Sequence, residues 1–111
     1  MGTLVHGYGP TGHRIEDRTL SHIKIVVGLK LDRGQSFFLS WNLRSEEGSG
    51  RISVWISATT PLQFRFAQSV RPEINRRWIE YMMMNSFGPR GVVVVDENDA
   101  EVMKPIPPGL L

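Results

Sequence analysis

Two short stretches, SFFLSWNL and RISVWIS, restrict the fold more than anything else in the chain. In the first, Phe37, Leu39, Trp41 and Leu43 alternate with Phe38, Ser40 and Asn42; in the second, Ile52, Val54 and Ile56 alternate with Ser53, Trp55 and Ser57. A period of two sends successive side chains to opposite faces of a pleated strand, so each stretch reads as a strand with one apolar and one largely polar face. The polar RSEEGSG between them is a hairpin connection. PLQFRFA follows the turn at ATTP and alternates Leu62, Phe64 and Phe66 with Gln63 and Arg65, which predicts a third strand and an antiparallel meander. Phe38 and Trp55 break the pattern, because they sit on the parity opposite the main apolar rows. A sheet built this way has apolar area on its second face, which must be covered by another part of the chain or by another molecule.

The flanks supply the remaining elements. TLVHGYGPTGHRIE contains two extended pieces, around 3–6 and 13–16, with glycines and a proline between them, which predicts an opening hairpin. In EDRTLSHIKIVVGLKLDRG, Leu20, Ile23, Val27 and Leu31 recur at helical spacing, Asp17 is the expected N-cap and Gly34 the expected stop. Gly28 weakens this helix by about 1 kcal/mol relative to alanine unless a neighbour packs closely on it. PEINRRWIEYMMMNSFG predicts a second helix, with Pro72 in its first turn, Glu73 at the positive end of the dipole and Gly88-Pro89 as its stop; Ile74, Trp78, Tyr81 or Met82, and Asn85 trace one face. GVVVV adds a strand, and DENDAEV reads as an acidic turn. The expected fold is therefore α+β in the order ββαβββαβ, a single mainly antiparallel sheet with both helices on one face. One domain over 1–103 and a proline-containing tail over 104–111 complete the organisation.

Composition bounds the function. The 111 residues suffice for one core, and 41% hydrophobic with 22% charged residues is a globular balance. A net charge of +2 does not by itself call for a nucleic-acid partner. With no cysteine, disulfides, thiolate zinc sites and cysteine nucleophiles are excluded. No apolar run approaches the roughly 20 residues needed to span a bilayer, and a soluble cytoplasmic protein is expected.

The candidate chemistry is sparse. His6, His13 and His22 lack the spacing of a helical metal pair, so no metal site is expected. No serine stands in G-x-S-x-G. Gly7, Gly9 and Gly12 spell G-x-G-x-x-G, yet that fingerprint must open a helix inside a parallel unit, and Arg14-Ile15-Glu16 reads as extended. KLDRG resembles the K-x-D-G adenylation motif of DNA ligases, with Arg33 interrupting it; Lys30 and Arg33 also suit a helix C-terminus electrostatically. Met82, Met83 and Met84 cannot share one helical face, since successive residues lie about 100° apart.

Most of the chain, from GTLVHGYG through GVVVV, resembles a family of small uncharacterised actinobacterial and actinophage proteins, in the segments IEDRTLSHIKIVVGLKLDRGQSFFLSW, GRISVWISATTPLQFRF and INRRWIEYM. The resemblance implies a soluble cytoplasmic protein of phage or host origin. Some members carry an ATP-dependent DNA ligase label. Members look basic where this chain has Asp32, so the ligase-like spelling is not a family property. The methionine-rich helix and proline-containing tail look like departures from the family pattern.

From these residues the chain is expected to be a non-enzymatic protein-interaction module, with no cofactor, that binds a protein partner or itself through Phe38, Trp55, Trp78, Met82, Met83 and Met84. The alternative is a nucleic-acid surface built from Arg65, Arg71, Arg76 and Arg77 with neighbouring aromatics. A small enzyme comes third, because no nucleophile or metal is matched with an oriented base.

Overall fold

A computed structural model of the chain describes residues 1–9 and 11–102. The elements are β1 (Gly2–His6), β2 (Gly12–Ile15), α1 (Asp17–Asp32), β3 (Phe37–Asn42), β4 (Arg51–Ile56), β5 (Leu62–Arg65), α2 (Arg76–Met84), β6 (Val92–Val93) and α3 (Glu97–Val102). The expected tail over 104–111 lies outside the described residues.

The mixture of helix and strand holds, but the single sheet does not. The strands form two three-stranded sheets, β2-β1-β5 and β4-β3-β6. The first is antiparallel throughout; in the second, β6 runs parallel to β3. Both expected hairpins form, β1 with β2 and β3 with β4. The meander fails at β5. After β4 the chain turns through Ser57 and Thr60, where the Ser57 N–H donates to Thr60 Oγ1 at 3.0 Å and the Thr60 N–H to the Ser57 carbonyl at 3.1 Å. The Gly7 N–H then donates to the Pro61 carbonyl at 3.0 Å, and β5 is laid along β1 with Leu4 opposite Phe64. Alternation defines the face a strand buries, and says nothing about which edge it pairs with.

The helices depart from expectation at their ends. Glu16, not Asp17, occupies the cap position of α1 and gives no side-chain bond. The Asp17 carboxylate instead accepts the Ala67 and Gln68 N–H groups at 3.1 and 2.9 Å, tying the chain beyond β5 to the start of α1. Those two bonds hold its carboxyl below the usual carboxylate range. At the other end Gly34, at φ 72°, closes α1: its N–H donates to the Leu31 carbonyl and the Gln35 N–H to that of Lys30, a Schellman arrangement. Helix α2 starts at Arg76 rather than at Pro72, because Asn75 caps it, Oδ1 accepting from the Arg77 and Trp78 N–H groups. The acidic segment read as a turn winds into α3, so there are three α-helices among the described residues, besides a 3-10 turn at Ser45–Glu47.

Strand β6 depends on Gly91, whose φ is 67° and where an added Cβ would collide with the Phe38 backbone. A left-handed residue without a side chain is therefore needed to bring Val92 beside Leu39. One core joins both sheets: Leu4 and Ile15 from the first, Leu39, Ile56 and Val92 from the second, and Leu20, Ile23 and Val26 from α1. Trp78 and Met82 of α2 and Ala100 of α3 close it.

Candidate functional site

The outer face of the second sheet keeps the parity expected of it. Phe37, Leu39 and Trp41 are buried, as is Ile56, while Phe38 and Trp55 remain 44% and 48% exposed. Phe38 stands directly opposite Trp55 across the β3–β4 ladder. Their rings meet edge to face, with centroids 5.0 Å apart and planes at 68°. Such pairs are favoured electrostatically, so the two rings hold each other on the surface. Beside them Ser40 and Ser53 share a hydrogen bond of 2.6 Å. The outer edge of this sheet is β4, six residues long. One group on that edge is occupied: His6 Nε2 donates to the Trp55 carbonyl at 2.7 Å, bridging the two sheets. Because the partner is an oxygen acceptor, Nε2 must carry the ring hydrogen.

Trp78 lies elsewhere, 2% exposed. Its Nε1–H donates to the Val95 carbonyl at 2.9 Å, and its ring stacks on His22 at 4.5 Å. His22 is buried too, and its tautomer follows from its partners. The Asn75 N–H donates to Nε2, so Nε2 is bare and Nδ1–H donates to the Arg18 carbonyl, at 2.8 and 2.7 Å. Arg18 clamps Glu97 with two bonds of 2.8 and 2.6 Å, and Asn75 Nδ2–H adds a third to the same carboxylate at 2.8 Å. The Arg18 guanidinium and the Asn75 amide bring the Glu97 carboxyl from 4.5 down to about 2. These groups fasten α1, α2 and α3 together. Their polar atoms are engaged with one another, and a network satisfied in this way stiffens the junction of the three helices as a clasp.

Met82 is also in the core, whereas Met83 and Met84 are half-buried on the flank of α2. Arg65, Arg71, Arg76 and Arg77 are all exposed. None of the four makes an ion pair among the described residues. With Trp78 enclosed, however, no tryptophan is available to stack beside Arg76 and Arg77. The lysine of KLDRG is buried as well. Lys30 is 3% exposed, its Nζ donates to Ser86 Oγ at 3.0 Å, and it lies 5.3 and 5.1 Å from the centres of the Phe37 and Phe87 rings. Burial, with Arg33 nearby, lowers its pKa below that of an ordinary lysine. Gly7 and Gly9 belong to the β1–β2 connection and Gly12 opens β2, so a strand rather than a helix follows.

A cleft of about 810 Å³ runs past Trp41, Arg14, Arg18, Arg44 and Glu97. Two of its arginines are committed, Arg18 to Glu97 and Arg44 to Glu46 at 3.1 Å. His13 packs edge-on to Trp41 at 5.3 Å, and burial, with His6 adding to it, lowers the His13 pKa. Among the described residues no group of three or more potential ligands could hold a metal ion. No described helix is long and apolar enough to cross a membrane.

A family model, a domain of unknown function (DUF7882), matches residues 1–97. The chain belongs to the DUF7882 family. The match takes in both sheets, α1, α2 and the first residue of α3. No curated protein and no solved structure matches the chain.

Sequence reasoning missed the clasp residues Arg18, His22, Asn75 and Glu97. Arg18 and Glu97 meet across 79 positions, and no local spacing announces such a pair. Asn75 was legible in principle, being a good cap residue two positions before the Arg77 amide that it binds.

Proposed function

We propose that this DUF7882 chain is a non-enzymatic protein-interaction module of the cytoplasm whose contact surface is the outer face of the second sheet. Phe38 and Trp55 are its central contacts. The observation that carries this reading is the half-exposed edge-to-face pair on a face that the core does not use. Two large rings left in water cost free energy that a partner recovers by covering them. Trp78 and Met82 lie in the core, so Met83 and Met84 are the methionines of α2 that a partner could reach, and their unbranched side chains are adaptable. The resemblance to actinobacterial and actinophage proteins puts a host protein among the partners to test, alongside a second copy of the chain.

Affinity capture tests the reading. The wild-type chain should retain a protein that a Phe38→Ser/Trp55→Ser double variant loses and that an Arg76→Ala/Arg77→Ala variant keeps. Identical retention by wild type and the aromatic double variant would overturn it. The second reading, nucleic-acid binding, is favoured by the four exposed arginines, none of which pairs with a carboxylate among the described residues. It predicts oligonucleotide binding that weakens steeply with salt and is lost in the arginine variant.

A further inference from the structure

We infer that the partner fitted by this surface is a second copy of the chain, added edge to edge along β4. The inference rests on the reading of the outer face given above and deepens it by naming the occupant.

The direction of each β4 backbone group follows from two bonds. The Trp55 carbonyl accepts from His6, so it points away from β3. In an antiparallel ladder the in-plane direction alternates from residue to residue, and Arg51, Ser53 and Trp55 all present N–H and C=O to the open edge. The far side of the sheet agrees. Ser40, opposite Ser53, accepts the Val94 N–H on the side away from β4, at 2.8 Å. The edge is also the longest one open in the molecule among the described residues: β4 has six residues, β2 and β5 four each, and β6 two. It carries no proline and no lysine, the residues that most often blunt such an edge.

What identifies the occupant is the sequence of the edge, Arg-Ile-Ser-Val-Trp, residues 51–55, which complements itself about Ser53. A two-fold antiparallel pairing centred there sets Ser53 against its own copy, Ile52 against Val54 and Arg51 against Trp55. The residues whose backbone groups point outward, 51, 53 and 55, then fall in the hydrogen-bonded positions, as such a ladder requires. On the outer face each Arg51 guanidinium lies across from an indole, a cation–π pair at a cross-strand position. On the inner face the half-buried Ile52 and Val54 of the two copies meet and finish their burial. The second sheets of the two copies become one continuous layer, with both Phe38–Trp55 pairs on the same side. His6 already donates to the Trp55 carbonyl, so the terminal bonds share that oxygen; among the described residues no loop or turn backbone group bonds the Ser53 N–H or C=O.

Sedimentation velocity over a concentration series, up to roughly millimolar protein, reads this directly. Wild type should show a concentration-dependent dimer. Ser53→Glu and Ser53→Lys each place like charges face to face at the two-fold, and each should sediment as a monomer. An equimolar mixture of the two should restore the dimer, because the opposite charges then meet. Ser53 is exposed, and matched thermal unfolding of the three chains shows that the fold is kept. A wild type that is monomeric throughout overturns the inference, as does a Ser53→Glu chain that dimerises like wild type, or a mixture that stays monomeric. If wild type is monomeric yet the aromatic double variant still loses a captured protein, the docking face stands and only the second copy falls.

Discussion

Two tryptophans divide the molecule. Trp78 is sealed between His22, Val95 and the core, with its indole N–H satisfied, while Trp55 lies on the outer sheet face against Phe38, half in water. Around Trp78 the polar groups are engaged with one another: Arg18, His22, Asn75 and Glu97 close a network across three helices. Around Trp55 the strand edge is open among the described residues, where its own carbonyl accepts from His6. The difference separates what holds the fold from what the fold displays. The same residue type is structural where its environment is complete, and available where it is not.

The contrast can be broken by substitution, starting with the largest effect. Trp78→Ala should cost about 3–5 kcal/mol in urea unfolding, the usual range for emptying a buried tryptophan site. A comparable loss at Trp55→Ala would erase the distinction between the two sides. Gly91→Ala should cost about 1–3 kcal/mol, because a left-handed φ and the adjacent Phe38 backbone both penalise a Cβ. Amide exchange should quicken at Val92 and Val93 in that variant, reporting the release of β6.

The clasp has its own pH signature. Glu97 has a carboxyl pKa lowered from 4.5 to about 2, so its contribution is fully present above 4.5 and is lost as pH falls toward 2. Wild type should lose stability through that window, and Glu97→Gln should start lower at neutral pH and fall less across it. An acid limb of unchanged shape in Glu97→Gln would remove the clasp from the account. The smallest of these effects is a gain. Gly28 is exposed and nothing lies within 4 Å of a Cβ built there. Gly28→Ala should therefore raise unfolding stability by about 1 kcal/mol, measured by the shift in urea midpoint.

Local patterns proved informative where local forces decide. The two hairpins, the body of α1, its stop at Gly34 and the inward and outward parity of β3 and β4 could all be read from spacing. What spacing does not carry is the identity of a strand's neighbour. Strand β5 has the alternation of a meander strand and pairs with β1, because the Pro61 carbonyl accepts from Gly7 at the turn. Strand β6 joins β3 in parallel through a glycine whose value lies in what it does not place against Phe38. In the candidate site, Phe38 and Trp55 were visible as a parity violation. The enclosure of Trp78 and Met82 was not, since a helical stripe looks the same whether it meets a core or a partner. Helix α3 had a signal in Asp96, an N-cap residue type followed by an acidic first turn.

The account stands on the claim that Phe38 and Trp55 are surplus to folding. Urea unfolding of the Phe38→Ser/Trp55→Ser variant, at protein concentrations low enough to keep both chains monomeric, tests that claim most directly. The account predicts a loss of about 1 kcal/mol or less, the scale of a single exposed cross-strand pair. A loss as large as that of Trp78→Ala would contradict it, because the outer rings would then be part of what holds the chain folded.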